Sequence, residues 1–120
     1  MGERGIILLG HGSRDPLWRQ PMEAVATRLA ALRPGLQVRC AYLELEPPTL
    51  ADAARELAAA GATHLSITPM FLGSGKHVRE DLPLLLRALQ EAHTTLVIEL
   101  RPPVGDDPRL LDLLARLALE

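Results

Sequence analysis

The sequence predicts an α/β fold: a three-layer sandwich in which a four-stranded, mostly parallel sheet carries helices on both faces. Three observations predict it. Short apolar runs alternate with longer segments whose apolar residues recur at three- and four-residue spacing, a β-α-β-α-β-α-β-α order that implies parallel pairing through right-handed crossovers. Gly and Pro punctuate the runs, as expected at element ends. At 120 residues, 48% hydrophobic and 23% charged, the chain suits one domain spanning 1–120, large enough for a core without staples.

The first strand is the run Ile6-Ile7-Leu8-Leu9, flanked by Gly5 and Gly10. It is too short for a helix and fits a strand covered on both faces. Asp15-Pro16 then opens a helix as N-cap and first turn. Met22, Val25, Leu29 and Leu32 form its apolar stripe, and Pro34-Gly35 ends it. Residues 36–43 form the second strand, which Pro47-Pro48 cannot continue. Residues 49–60 form an alanine-rich helix with Leu50, Ala53, Ala54 and Leu57 on one face, stopped by Gly61. Residues 64–68 form the third strand; Val78, Leu82, Leu85, Leu86 and Leu89 mark the third helix; residues 96–100 form the fourth strand. Asp107-Pro108 starts a last helix with Leu110, Leu113, Leu114 and Leu117 expected inward.

The totals exclude several functions. Aromatic residues are 2% and the net charge is -2, which supplies neither the stacking platforms nor the cationic surface of a nucleic-acid binder. No apolar run is long enough to cross a bilayer, so no membrane partner is expected and a cytoplasmic location is expected by default. The single cysteine, Cys40, permits no internal disulfide or cysteine-cluster metal site and reads as a small core residue.

In a parallel sheet every strand C-terminus lies on one edge, and ligands bind there. That edge gathers His11 between Gly10 and Gly12, Glu44 after the second strand, and the loop Gly73-Ser74-Gly75-Lys76-His77 after the third. Gly10 and Gly12 are expected to let the backbone approach a ligand closely. Two imidazoles and a carboxylate suit cobalt, iron, nickel or zinc with coordination positions left open. Glu46 rivals Glu44 for the carboxylate role. Arg14, Lys76 and Arg79 flank the histidine loops, and cations there suit ligand carboxylates or phosphates. His64 and His93 read as structural or exposed. Gly75-Lys76 lacks the hydroxyl residue and the preceding glycine of a nucleotide phosphate loop.

The stretches Ile7-Leu8-Leu9-Gly10-His11-Gly12-Ser13-Arg14, Tyr42-Leu43-Glu44 with Pro47, and Pro69-Met70-Phe71-Leu72 leading into Gly75-Lys76-His77-Val78 resemble the small, single-module sirohydrochlorin cobaltochelatases and ferrochelatases, the class II chelatases. The resemblance covers nearly the whole chain. It implies an enzyme that inserts a divalent metal into a modified tetrapyrrole, sirohydrochlorin, without ATP or an organic cofactor. Cobalt is the first expectation, iron or nickel the next. It implies His11 and His77 as metal ligands and, with Glu44, as catalytic residues. Ser13, Arg14, Gly75, Lys76 and Arg79 go with them as substrate contacts, and the working form is a homodimer. Two other readings are a cobalt, nickel or tetrapyrrole carrier without turnover, and an anion-binding or phosphate-ester module using the Gly12-Ser13-Arg14 turn.

Overall fold

The computed structural model describes residues 3–120. Its sheet has four parallel strands in the order β2-β1-β3-β4: β1 Glu3–Gly10, β2 Gln37–Tyr42, β3 Ala62–Pro69 and β4 Val97–Leu100. Strands β1 and β3 run longer than their apolar cores, because parallel pairing from Glu3↔Ala62 to Leu9↔Pro69 recruits the flanking residues. The helices are α1 Gln20–Leu32, α2 Leu50–Ala59, α3 Lys76–Ala92 and α4 Pro108–Leu119. Asp15 caps a short 3-10 turn, Pro16–Arg19, and α1 begins only after it. Thr49 and Asp52 close a capping box at α2.

The connection from β1 leads to β2 on one side, and the connection from β2 leads back across to β3 on the other. The reversal makes a crevice beyond the C-terminal ends of β1 and β3, the switch point where doubly wound sheets bind ligands. Helices α2 and α3 cover one face, where Leu57 of α2 packs with Ile7, Leu9, Leu65 and Ile67 of the sheet. Helix α1 covers the other, where its Met22 packs with Leu8 and Tyr42 of the sheet. Cys40 is half-buried on that side, as its strand position predicts.

Tyr42 is 2% exposed, and burial is the main cause that pushes its phenol up to about 12 from an ordinary value of 10. Between these values the unfolded chain ionises while the folded chain stays protonated, so stability falls as pH rises through that window. The urea midpoint should therefore drop from pH 9 to pH 11, and the drop should be smaller in Tyr42→Phe. An equal drop in both proteins would remove Tyr42 as the cause.

Helix α4 departs from expectation. None of its residues is buried; Leu113 and Leu117 are 51% and 56% exposed, and the helix packs chiefly on the 3-10 turn Val104–Asp106. The reason lies in the linker before it. Gly105 donates its N–H to the Phe71 carbonyl (2.9 Å), and a Cβ at Gly105 would collide with the Leu72 carbonyl oxygen. This anchor fixes the chain at the sheet's C-terminal edge and sends α4 away from the sheet. Helix α1 packs on β2 and β1, and on the same face of β3 and β4 Ser66 is buried, Thr68 half-buried and Glu99 exposed.

Candidate metal and macrocycle site

The site is assembled by extensions of the β ladder. Beyond β1 and β2, Leu43 N–H donates to the Gly10 carbonyl and Glu44 N–H to the His11 carbonyl, each at 3.0 Å. Met70 N–H donates to the Leu9 carbonyl at 2.8 Å, which continues β1–β3 pairing into the Phe71 loop. These bonds hold the His11, Glu44 and Phe71 segments side by side. Gly12 turns the chain with φ +103, and a Cβ there would collide with the Glu44 carbonyl oxygen. Its glycine serves close approach to the chain's own backbone, not to a ligand. At Gly10 a Cβ would lie 2.7 Å from Met22 Sδ, so this glycine too makes room for the protein.

The exposed His11 imidazole stacks on the buried Phe71 ring, with centroids 4.2 Å apart and planes 27° from parallel. His77 is the second residue of α3, whose N-cap is Gly75. One cavity of about 520 Å³ joins His11, Glu44 and His77 with Asp81 over an apolar wall that includes Leu43, Val78 and Leu82. Asp81 is a site residue that the sequence reading does not single out; its signal is the four-residue step from His77, which places both on one helix face. Among the described residues, no three His, Cys, Asp or Glu side chains gather closely enough to enclose an ion. The histidines and acids thus share a cavity as an open arrangement rather than a cage.

Glu44 and Glu46 have separate tasks. Glu44 is exposed at the cavity. The Glu46 side chain is 6% exposed; it accepts the Ser13 N–H at 2.6 Å and a guanidinium N–H of Arg19 at 3.2 Å. The anion bound by the Gly12-Ser13 turn is therefore the chain's own carboxylate, which leaves the phosphate reading without its turn. Glu46→Ala is expected to lower stability by about 1–3 kcal/mol, the cost of a lost charge-assisted bond and an unpaired amide, and Glu46→Gln should recover most of it. An unchanged urea midpoint for Glu46→Ala would show that this carboxylate does not fasten the loop.

The remaining expected substrate contacts lie outside the cavity wall. Ser13 Oγ accepts the Asp15 N–H at 3.0 Å. Arg79 folds back on its own loop, donating to the Ser74 carbonyl at 2.6 Å. Arg14 and Gly75 are exposed; Lys76 is exposed beside Glu80, with 4.0 Å between the charged atoms. A larger cavity, about 830 Å³, lies between the end of β3 and the start of α4 and contains none of the expected site residues. Its Arg109 is paired with Asp107 at 2.6 Å, and that pairing holds the Asp107 carboxyl down at about 2.

A family model described as CbiX matches residues 5–120. The sirohydrochlorin cobaltochelatase of Methanococcoides burtonii is 28% identical, with 97% of this chain and 95% of that protein covered. The enzyme of the same name from Methanosarcina barkeri is 29% identical, with 97% and 95% covered. Among solved structures, a protein described as a cobalamin (vitamin B12) biosynthesis CbiX protein from Marinobacter aquaeolei superposes with a TM-score of 0.83 at 30% identity, covering 96% of this chain and 93% of that one. The sirohydrochlorin chelatase SirB from Bacillus subtilis, solved in complex with cobalt, gives a TM-score of 0.76 at 26% identity; the match covers 88% of this chain but 45% of SirB.

Proposed function

The chain belongs to the CbiX family, and on that premise we propose that it is a sirohydrochlorin chelatase, inserting cobalt(II) into the macrocycle in cobalamin synthesis. The observation that carries the reading to residues is the single cavity shared by His11, His77 and Glu44 at the switch point of the sheet.

The chemistry is set by the reaction's balance. A divalent ion sheds water, enters the ring and displaces two pyrrole N–H protons. Neutral imidazoles at His11 and His77 hold such an ion less tenaciously than thiolates hold a soft metal, so it can pass on to pyrrole nitrogens. Stacking on Phe71 presents His11 in a set orientation. Glu44, exposed at the cavity, acts as general base and relays the two released protons, one after the other, to solvent water. The apolar wall of Leu43, Val78 and Leu82 suits the flat macrocycle. Lys76 and Arg14, exposed on the two loops, meet its peripheral carboxylates. A carrier that stored the ion would gain from a closed ligand set, and an open one favours release.

The chain works in this reading as one domain over 1–120 and as a homodimer. We place it in the cytoplasm; among the described residues no helix is long and apolar enough to cross a membrane. The test is the rate of sirohydrochlorin metallation with cobalt(II), iron(II) and nickel(II), each against a protein-free control. Acceleration is expected, greatest with cobalt. Equal rates with and without protein for all three ions would remove the chelatase reading.

A further inference from the structure

We propose that Leu45 is a macrocycle-contact residue: its side chain is held out at the rim of the histidine-bearing cavity and packs against the ring of the bound tetrapyrrole. This deepens the reading of the site above and rests on it. Three observations lead there.

The backbone at Leu45 is one that its residue type disfavours. Leu45 has φ +69, and among the described residues it is the one non-glycine residue with positive φ. Across it the Glu46 N–H donates to the Glu44 carbonyl at 2.9 Å, a γ-turn of the rare, strained hand. The turn is fastened at both ends to the loop after β1. Glu44 N–H bonds the His11 carbonyl at 3.0 Å, and the Glu46 carboxylate accepts from Ser13 and Arg19. Relaxing the turn would break these bonds.

Packing does not account for the side chain. Gly12, Gly35 and Gly61 occupy the other positive-φ positions among the described residues. A glycine at 45 would form the same turn without strain. What a leucine offers a fold in return is burial, yet Leu45 is 53% exposed and belongs to neither core cluster. The chain therefore holds a strained leucine whose side chain it uses little itself. Strain of this kind collects where a ligand is gripped.

The position supplies the ligand. Leu45 follows Glu44 directly, so their Cα atoms lie about 3.8 Å apart. Leu43 and Glu44 line the cavity with His11 and His77. Its volume of about 520 Å³ is smaller than a four-pyrrole ring with its carboxylate arms, so the ring overhangs the rim. The ring is apolar on its faces and charged at its periphery, and a leucine at the rim suits a face. Burying the exposed half of such a side chain strengthens binding roughly five- to tenfold.

The test is the affinity for metal-free sirohydrochlorin, followed by absorbance titration without cobalt. Leu45→Gly keeps the turn and removes the side chain. It should weaken binding by that factor, with the urea midpoint no lower and cobalt(II) binding unchanged. Leu45→Met, which keeps the apolar bulk, should restore the affinity. In metallation by Leu45→Gly, KM for the macrocycle should rise by more than kcat falls. Equal affinity in Leu45→Gly and the unaltered protein would overturn the proposal. So would a urea midpoint that falls along with binding, which would assign the side chain to the fold. A changed solution mass at unchanged affinity would also overturn it, by assigning the side chain to a contact between chains. An unaltered protein that neither binds the macrocycle nor accelerates metallation would remove the chelatase reading and this contact together. Acceleration by the unaltered protein with undiminished binding by Leu45→Gly would remove the contact alone.

Discussion

The double variant His11→Ala with His77→Ala is expected to insert metal at least about 100-fold more slowly than the unaltered protein. Loss of a residue that merely orients a metal ligand costs about 10–100-fold, and here both imidazoles go. Cobalt(II) binding should weaken in parallel. The fold should survive, because both side chains are exposed at the cavity; the stability lost is that of the His11–Phe71 stacking, about 0.5–1.5 kcal/mol. Each single variant should lie between the two extremes, since one imidazole still holds the ion loosely. The readout is the initial rate of the absorbance change as sirohydrochlorin takes up cobalt, with the urea midpoint as the folding control. Wild-type rates in the double variant would move the chemistry away from this cavity.

Gly12→Ala should be the most damaging small change in the chain. Gly12 combines two demands that no other residue type meets. Its φ of +103 is a conformation that side chains rarely adopt, and its missing Cβ leaves the space that the Glu44 carbonyl occupies. The conformational part alone costs about 1–3 kcal/mol. The clash is with backbone, which cannot rotate aside, so a total of roughly 2–4 kcal/mol is expected. Because Glu44 N–H also bonds the His11 carbonyl, relief of the clash pulls apart the pair of loops that carry His11 and Glu44. Metal insertion should therefore fall further than the stability change alone implies. Gly35→Ala is the control: φ is +88 there, but nothing lies within 4 Å of the added carbon. Its effect should stay near the conformational cost, with insertion unchanged. Equal losses in the two variants would show that the Glu44 contact contributes nothing.

Much of this is legible in the chain because it depends on local pattern. Ile6 to Leu9 between glycines reads as a buried strand, and a parallel sheet carries the residues after such a strand to the ligand edge. His11, Glu44 and His77 reach one cavity for that topological reason. The features that the sequence hides depend on long-range partners. Glu44 and Glu46 are two residues apart with the same chemistry, and only Ser13 and Arg19, distant in sequence, draw Glu46 inward. Arg79 has the charge and position of a substrate clamp, but its guanidinium is taken by the Ser74 carbonyl. Phe71 has the character of a core residue; its stacking on His11 joins the ends of two strands. The leucines of α4 have a clean helical period, which states that they need a partner but not which chain supplies it. Gly105 carries no signal in the sequence, although its missing Cβ fixes where α4 begins.

The most direct measurement of the central claim is a turnover count: protein at about one-hundredth the concentration of sirohydrochlorin and cobalt(II), with metallated product followed by absorbance and corrected for the spontaneous reaction. A chelatase should yield many equivalents of product per protein chain, at a rate proportional to protein. Product that stops at one equivalent per chain, with cobalt or macrocycle left bound, would contradict catalysis and make the protein a carrier.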